Sequence, residues 1–300
     1  AEQYTATELG DADNIAKQLP YLLPEQVFDV KFAEDRFANH RGVLITNQTG
    51  TGKTISGLGI AKRFLKRGKN NILIVTPNQQ KVSDWIDEGK NLLIDVQRVE
   101  NTKEAPDGVI ATTYANFYQN KPLLEKTYDL IIYDESHSLL ENKKGEPTSR
   151  LAAHKKITWD NYAKRAGLDH TSTDSNVIDR ISSEASSGKV VFLSATPFSS
   201  PRSLEYANGI LFDKTDIEGL LIDKFGYIAN EQGDIIPPPV YSGIDVGALE
   251  RSFADSLISS GAMRGRKLNN GFDYARQFMK IENSFASKFE DRSEERRVGK

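Results

Sequence analysis

The chain has 300 residues, no cysteine and a formal net charge of −3. Without thiols it can form no disulfide, thiolate zinc site or cysteine nucleophile, and no global basic footprint announces a nucleic-acid binder. Its longest apolar runs, 72–75 and 190–193, fall far short of the roughly 18 residues of a membrane span. No basic-then-apolar segment opens it, so the expectation is a cytoplasmic protein without a membrane partner.

A flank is expected over 1–18, followed by short apolar, β-rich runs that alternate with helical patterns. Strands are predicted at 42–46, 71–76, 109–113, 129–133 and 189–194. Each is nearly continuously apolar, as strands buried on both faces of a parallel sheet are. A helix is predicted over 54–67, with Ile55, Leu58, Ala61, Phe64 and Leu65 on one stripe and Lys62, Arg63 and Lys66 off it. Such alternation predicts an α/β domain, a mostly parallel sheet with helices on both faces, whose ligand lies beyond the carboxyl ends of the strands. The basic runs at Lys62-Arg63, Lys66-Arg67, Lys155-Lys156 and Arg264 to Lys267 read singly as solvated faces.

The first strand runs into Asn47-Gln-Thr-Gly-Thr-Gly-Lys-Thr54, which opens the predicted helix. A loop that wraps polyphosphate with backbone N–H groups cannot carry bulky side chains at its closest points; Gly50 and Gly52 meet that demand, with Thr49 and Thr51 between and beside them. Lys53 is placed to reach the β- and γ-phosphates, and the Thr54 hydroxyl to ligate Mg²⁺. The first glycine of the consensus is replaced by Asn47, a residue that tolerates left-handed backbone.

The strand at 129–133 ends in Asp134-Glu135-Ser136-His137. Asp134 would hold Mg²⁺, directly or through water, and Glu135 would orient and deprotonate the attacking water. Adjacent strand residues point to opposite faces, so the two carboxylates must sit where the strand ends and turns. His137 shares no metal-ligand spacing with His40, His154 or His170.

A long polar stretch over 141–188, with Trp159 and Tyr162 as its large aromatics, reads as a partly helical insertion. The strand at 189–194 then ends in Ser194-Ala-Thr-Pro. Beyond residue 235, Pro237-Pro238-Pro239 reads as an extended connector, with helical patterns at 246–259 and 274–289 and no internal repeat. The chain starts at Ala1 without an initiator Met. Residues 292–300 resemble the conceptual translation of a sequencing-library adapter, which implies a coding sequence that stops near Asp291.

Taken in this order, the motifs resemble those of the superfamily-two helicases and translocases of DEAD/DEAH type. Thr49 to Thr54 resembles motif I, Asp134 to His137 motif II, and Ser194 to Thr196 motif III. Residues 19–26 resemble the upstream region whose glutamine, here Gln26, contacts adenine. Thr76-Pro77 resembles motif Ia and Thr112-Thr113-Tyr114 motif Ib, both of which touch nucleic acid in the family. The loop and the Ser-Ala-Thr-Pro-Phe-Ser strand end resemble those of strawberry-notch-like and phage or mobile-element helicases.

The resemblance implies a RecA-like ATP-binding lobe over 19–235, with ATP and Mg²⁺ as cofactors and His137, Ser194 and Thr196 coupling the cleft to nucleic acid. It implies DNA in preference to RNA, a bacterial or phage-encoded source, and a second RecA-like lobe that supplies an arginine finger. No second lobe is recognisable in this chain, so residues 1–291 alone should bind ATP weakly and hydrolyse it slowly. Two other classes fit the loop: a terminase-type packaging motor or switch ATPase, against which Ser194-Ala-Thr-Pro argues, and a nucleotide-binding scaffold without turnover, against which an intact Lys53, Asp134 and Glu135 argue.

Overall fold

The computed structural model describes residues 9–47, 52–140, 149–195, 204–231 and 235–236, with backbone strands at 263–264, 268–269 and 272–273. The expectations for Thr49, Gly50, Thr51 and Thr196, for the triple-proline connector, for helices at 246–259 and 274–289 and for 292–300 lie outside the described residues.

The elements follow in the order α1 (Ala12–Gln18), α2 (Pro24–Phe37), β1 (Gly42–Ile45), α3 (Lys53–Lys66), β2 (Ile72–Thr76), α4 (Gln79–Asn91), β3 (Val96–Arg98) and β4 (Val109–Thr113). Then come α5 (Tyr114–Phe117), α6 (Lys121–Glu125), β5 (Leu130–Asp134), a 3₁₀ turn at Ser136–Leu140, α7 (Ser149–Lys155), a π turn at Lys156–Asp160, α8 (Asn161–Arg165) and α9 (Ser175–Ala185). β6 (Lys189–Leu193), α10 (Leu204–Ala207) and α11 (Ile217–Phe225) complete the body, followed by two-residue strands β7 (Ile228–Ala229), β8 (Ile235–Ile236), β9 (Met263–Arg264), β10 (Leu268–Asn269) and β11 (Phe272–Asp273).

The main sheet runs β3-β4-β2-β5-β6-β1-β9, and every pairing in it is parallel. Because strand side chains alternate, β1, β2, β4, β5 and β6 each feed two cores. Val43, Ile45, Ile72, Ile74, Ile132 and Val191 join α1 to α4 on one face. Leu44, Leu73, Val75, Ile131, Tyr133 and Phe192 join α5, α6, α7, α10 and α11 on the other. That two-sided burial is why the strands read as unbroken apolar runs.

The α1 segment is part of this body: Ile15 is buried in the same core as α2 and α3. Its anchor corrects one expectation. Arg63 belongs to no solvated face but is 0% exposed. Its Nη2 donates to Glu34 Oε2 at 2.8 Å, and its Nη1 to Asn14 Oδ1 at 2.6 Å and Gln18 Oε1 at 3.2 Å. A buried guanidinium persists only with this kind of saturation.

The described part of the 141–188 stretch carries α7, the π turn, α8 and α9, and is built into the core. His154 on α7 is fully buried, with Nε2 2.8 Å from the Tyr206 carbonyl and Nδ1 2.8 Å from the Tyr133 hydroxyl. A carbonyl only accepts, so Nε2 carries the proton and Nδ1 accepts from Tyr133. Burial lowers the His154 pKa from 6.5 to about 3, which keeps the ring neutral. Trp159 packs with Ala163 and Ile181 in a satellite cluster.

Candidate functional site

The order β5-β6-β1 sets three motif-bearing strands side by side, and their parallel pairing brings all three carboxyl ends to one rim. α3 starts at that rim. Gly52 caps it with a left-handed backbone, φ +77°, and a Cβ there would lie 2.3 Å from Gln26 Nε2. Glycine is therefore required twice, by conformation and by space. The amide N–H groups of the first turn of α3 and its partial positive charge point into the space beyond.

A cleft of about 410 Å³ opens there, lined by Gly52, Lys53, Thr54, Asp134 and Glu135, with Lys81, Asp84, Asp87 and Glu88 of α4 on its outer wall. Lys53 is 8% exposed and Asp134 3%. Lys53 Nζ lies 3.1 Å from Glu135 Oε1. Glu135 Oε2 lies 3.5 Å from His137 Nδ1, and the same nitrogen shares a 2.9 Å hydrogen bond with Ser194 Oγ. Ser194 in turn donates its backbone N–H to Ile45 of β1 at 3.2 Å. Residues far apart in sequence thus form one continuous chain from Lys53 to the end of the P-loop strand.

The two carboxylates separate as strand geometry demands. β5 ends at Asp134, and Glu135 adopts a left-handed φ of +51°. Asp134 turns inward, where Trp85 Nε1 donates to its Oδ2 at 3.0 Å. Burial raises the Asp134 carboxyl above its ordinary value; the Trp85 hydrogen bond works against that rise and the Glu135 charge adds to it.

Several expectations need correcting. Asn47 is not among the described residues with left-handed backbone; instead it is fully buried and its Nδ2 donates to Asp29 Oδ2 at 2.9 Å. Asp29 also accepts from Ser56 Oγ at 2.8 Å, so Asn47 pins the start of the loop to α2 and α3. Thr76 and Thr112 do not present hydroxyls to solvent: both are 0% exposed. Thr76 Oγ1 donates to the Asn78 carbonyl at 3.1 Å, Thr112 Oγ1 to the Val99 carbonyl at 2.7 Å, and Thr113 Oγ1 caps α5 by accepting from Asn116 N. At these strand ends it is backbone groups, the half-buried Pro77 and the exposed Asn78 and Ala115 that face solvent. Gln26 accepts from Leu23 N through Oε1 at 2.9 Å and lays its Nε2 against Gly52, placing the amide beside the phosphate loop.

Sequence reasoning missed Asp29, Trp85 and the hydroxyl of Tyr114, whose partners lie far off in sequence. A second cavity of about 420 Å³, lined by Lys155, Trp159, Asp160, His170 and Lys214 among others, shares no residue with these motifs. There Lys214 sits 4.6 Å from the Trp159 ring centre, and burial lowers its pKa to about 8.

The donor set suits a magnesium nucleotide. Among the described residues no three His, Cys, Asp or Glu side chains form a metal cage, but Mg²⁺ is held by one or two carboxylates together with substrate phosphates. Asp134 and Thr54 offer hard oxygens on one wall, and Lys53 with the α3 amides offers positive charge on the other.

Comparison with known proteins agrees with the fold. No curated protein is significantly similar in sequence. The SWI2/SNF2 ATPase core of Sulfolobus solfataricus in complex with dsDNA superposes with a TM-score of 0.55 at 14% identity, covering 81% of this chain and 44% of that one. The same core without DNA gives 0.54 at 14% identity, over 83% and 44%. The UvsW helicase from bacteriophage T4 gives 0.45 at 14% identity, over 67% and 65%. The chain thus spans less than half the length of the SWI2/SNF2 cores. It has the fold of one RecA-like helicase lobe, and no described helix is long and apolar enough to cross a membrane. The sequence profile for "Type III restriction enzyme, res subunit" matches residues 18–199, more than half of the 300; the chain belongs to that family of helicase-like ATPase domains.

Proposed function

We propose that the chain is the ATP-binding lobe of a nucleic-acid translocase, acting on DNA in preference to RNA, that hydrolyses ATP to drive movement. The observation that carries this reading is the convergence of Lys53, Thr54, Asp134 and Glu135 on one cleft at the carboxyl rim of the sheet. A neighbour of the same fold, a SWI2/SNF2 ATPase core solved in complex with dsDNA, supports it.

In this reading the polyphosphate lies along the first turn of α3, where it competes with Glu135 for Lys53. Asp134 and Thr54 would hold Mg²⁺, which supplies charge neutralisation on the phosphates. Glu135, released from Lys53 and still beside His137, accepts the proton of the attacking water. The water oxygen bonds to the γ-phosphorus, the bond to the bridging oxygen breaks, and ADP departs with that electron pair. The left-handed turn at Glu135 carries its carboxylate away from the metal side, which leaves room for the water. His137 and Ser194 then tie the state of Glu135 to the ends of β6 and β1. An arginine from a second lobe would complete the stabilisation of the γ-phosphate, so turnover by this chain alone is slow.

Phosphate release and nucleotide binding test the reading. Mg²⁺·ATP should bind, and Lys53→Ala should weaken that binding about a hundredfold, the order of loss when one partner of a buried charge pair is truncated. A duplex DNA oligonucleotide should bind with strong salt dependence and outcompete RNA of equal length. Unchanged nucleotide binding in Lys53→Ala would refute the assignment of the cleft, and preference for RNA would reverse the choice of nucleic acid.

A further inference from the structure

Two fully buried aromatic side chains grip Asp134 from opposite faces of the sheet, and neither lines the cleft. Trp85, on the α1–α4 side, donates its indole N–H to Asp134 Oδ2 at 3.0 Å. Tyr114, on the other side, donates its hydroxyl to the Asp134 backbone carbonyl at 2.9 Å. One fixes the carboxylate and the other the strand end that carries it.

The Trp85 bond admits little play. Oδ1 of Asp134 accepts no hydrogen bond among the described residues, so the indole takes one carboxylate oxygen inward and leaves the other for the cleft. The indole is wedged against α3: a Cβ on Gly57 would lie 2.6 Å from its Cη2. Gly57 stands one helical turn beyond Lys53, so α4 cannot slide along the P-loop helix without moving the indole. Nor can the indole move without abandoning its acceptor, and a buried N–H left unpaired is costly.

Both aromatics also sit on elements that begin at the rim. α4 follows directly from β2, capped by Asn78, whose Oδ1 accepts from Lys81 N at 3.0 Å. α5 follows directly from β4, capped by Thr113. Tyr114 is braced by a stacked Tyr133, 6.3 Å away with planes at 13°, and by Arg150 of α7 5.5 Å from its ring centre. A ligand that presses on the strand ends at 76–78 or 113–116 therefore acts on helices whose buried polar link to the catalytic turn, among the described residues, is an aromatic donor.

We propose that Trp85 is the positioning residue that presents Asp134 to the metal, and that Trp85 and Tyr114 together relay nucleic-acid contact at the β2 and β4 ends to the Asp134-Glu135 turn. This rests on the function proposed above. It explains why Thr76 and Thr112 can be buried at positions whose resemblance implies nucleic-acid contact: what has to respond there is the helix start, not the hydroxyl.

The chain has two tryptophans, so ¹⁵N labelling yields two indole N–H resonances, assigned with Trp159→Phe. Saturation with Mg²⁺·ADP should shift the Trp85 resonance and leave that of Trp159 in place. A duplex DNA oligonucleotide added to that complex should shift Trp85 again, and in Tyr114→Phe this second shift should shrink by at least half. By calorimetry, Trp85→Phe should raise the Mg²⁺ concentration needed for ADP binding about tenfold, the worth of one hydrogen bond to a charged acceptor, with metal-free ADP affinity unchanged. The resonance experiment on the native chain stands even where Trp85→Phe folds poorly. Mg²⁺·ADP binding with a motionless Trp85 resonance overturns the positioning role and leaves the proposed function intact. A Trp85 resonance that answers Mg²⁺·ADP but no bound oligonucleotide overturns the relay. Absence of any Mg²⁺·ADP binding overturns the proposed function and this inference with it.

Discussion

At the residue scale, the candidate site turns on two consecutive carboxylates given different environments. Asp134 is buried and hydrogen-bonded inward, whereas Glu135 swings out on a left-handed backbone at φ +51°. For a residue with a Cβ that conformation costs on the order of 1–2 kcal/mol, a strain placed where chemistry is expected. Glu135→Gln should keep Mg²⁺·ATP affinity within about threefold while turnover falls about a hundredfold or more, as loss of a general base does; single-turnover phosphate release reads this directly, and unchanged turnover would move the base elsewhere. Packing behind the site is equally specific. Gly57→Ala drives a methyl into the Trp85 ring and should lower stability by about 1–3 kcal/mol, seen as an earlier urea midpoint. Lys53, Thr54, Asp134 and Glu135 were legible because each belongs to a short contiguous pattern with its own chemical logic. Trp85 was not, because its acceptor lies 49 residues away and an indole in an amphipathic helix looks like any core residue until the fold closes on it.

At the element scale, β1, β2, β4, β5 and β6 could be read within a residue or so because burial on both faces leaves no polar positions to interrupt them. β3 could not: of its three residues only Val96 is buried. α2 was hidden for the opposite reason, since Gln26, Asp29, Glu34 and Arg36 are all buried in it and blur the apolar stripe that marks a helix. These polar groups bind neighbouring elements together, which no local pattern records. Arg63 with Glu34 is the strongest case, a pair 0% and 1% exposed that joins α3 to α2 and, through Asn14 and Gln18, to α1. Glu34→Gln keeps the shape and removes the charge, leaving a buried guanidinium uncompensated. The expected loss is about 3–5 kcal/mol, a large share of the roughly 5–15 kcal/mol that holds a domain folded. Denaturant unfolding would measure it, and a loss below about 1 kcal/mol would mean that water reaches Arg63.

At the scale of the whole molecule, a sheet covered on both faces leaves its carboxyl rim open, and the proposed nucleotide site lies there, with β6 and the following Ser194 between the P-loop strand and the strand of Asp134. The covering is sensitive to acid. His154 is neutral when folded because burial lowers its pKa from 6.5 to about 3. Its folded value lies below its unfolded one, so the associated stability is full above about pH 6.5 and drains as pH falls toward 3. Between about pH 7.5 and about pH 5 this single group should account for about 2 kcal/mol. His154→Phe should flatten the slope of unfolding free energy with pH over that window by close to one proton; an unaltered slope would show that the ring is already charged.

That same ring bears on how the protein can be taken apart. A polar segment of this length between two core strands would ordinarily be the place to cut, shorten or decorate a chain. Here the first half of the segment is unsuitable. His154 satisfies the Tyr133 hydroxyl at the heart of the sheet, and Arg150 Nη1 closes on the Ser138 carbonyl at 3.0 Å, so splicing it out would strip two partners from the strand and turn that carry the carboxylates. The tolerant stretch is instead 171–173, just past the His170 carbonyl that accepts from Trp159 Nε1 at 3.1 Å; it is mostly exposed and bonds within its own loop, as Thr171 with Asp169 and Ser172 with Asp174 do. A fluorophore or a fused domain belongs there, where it would ride on the lobe without disturbing its seal.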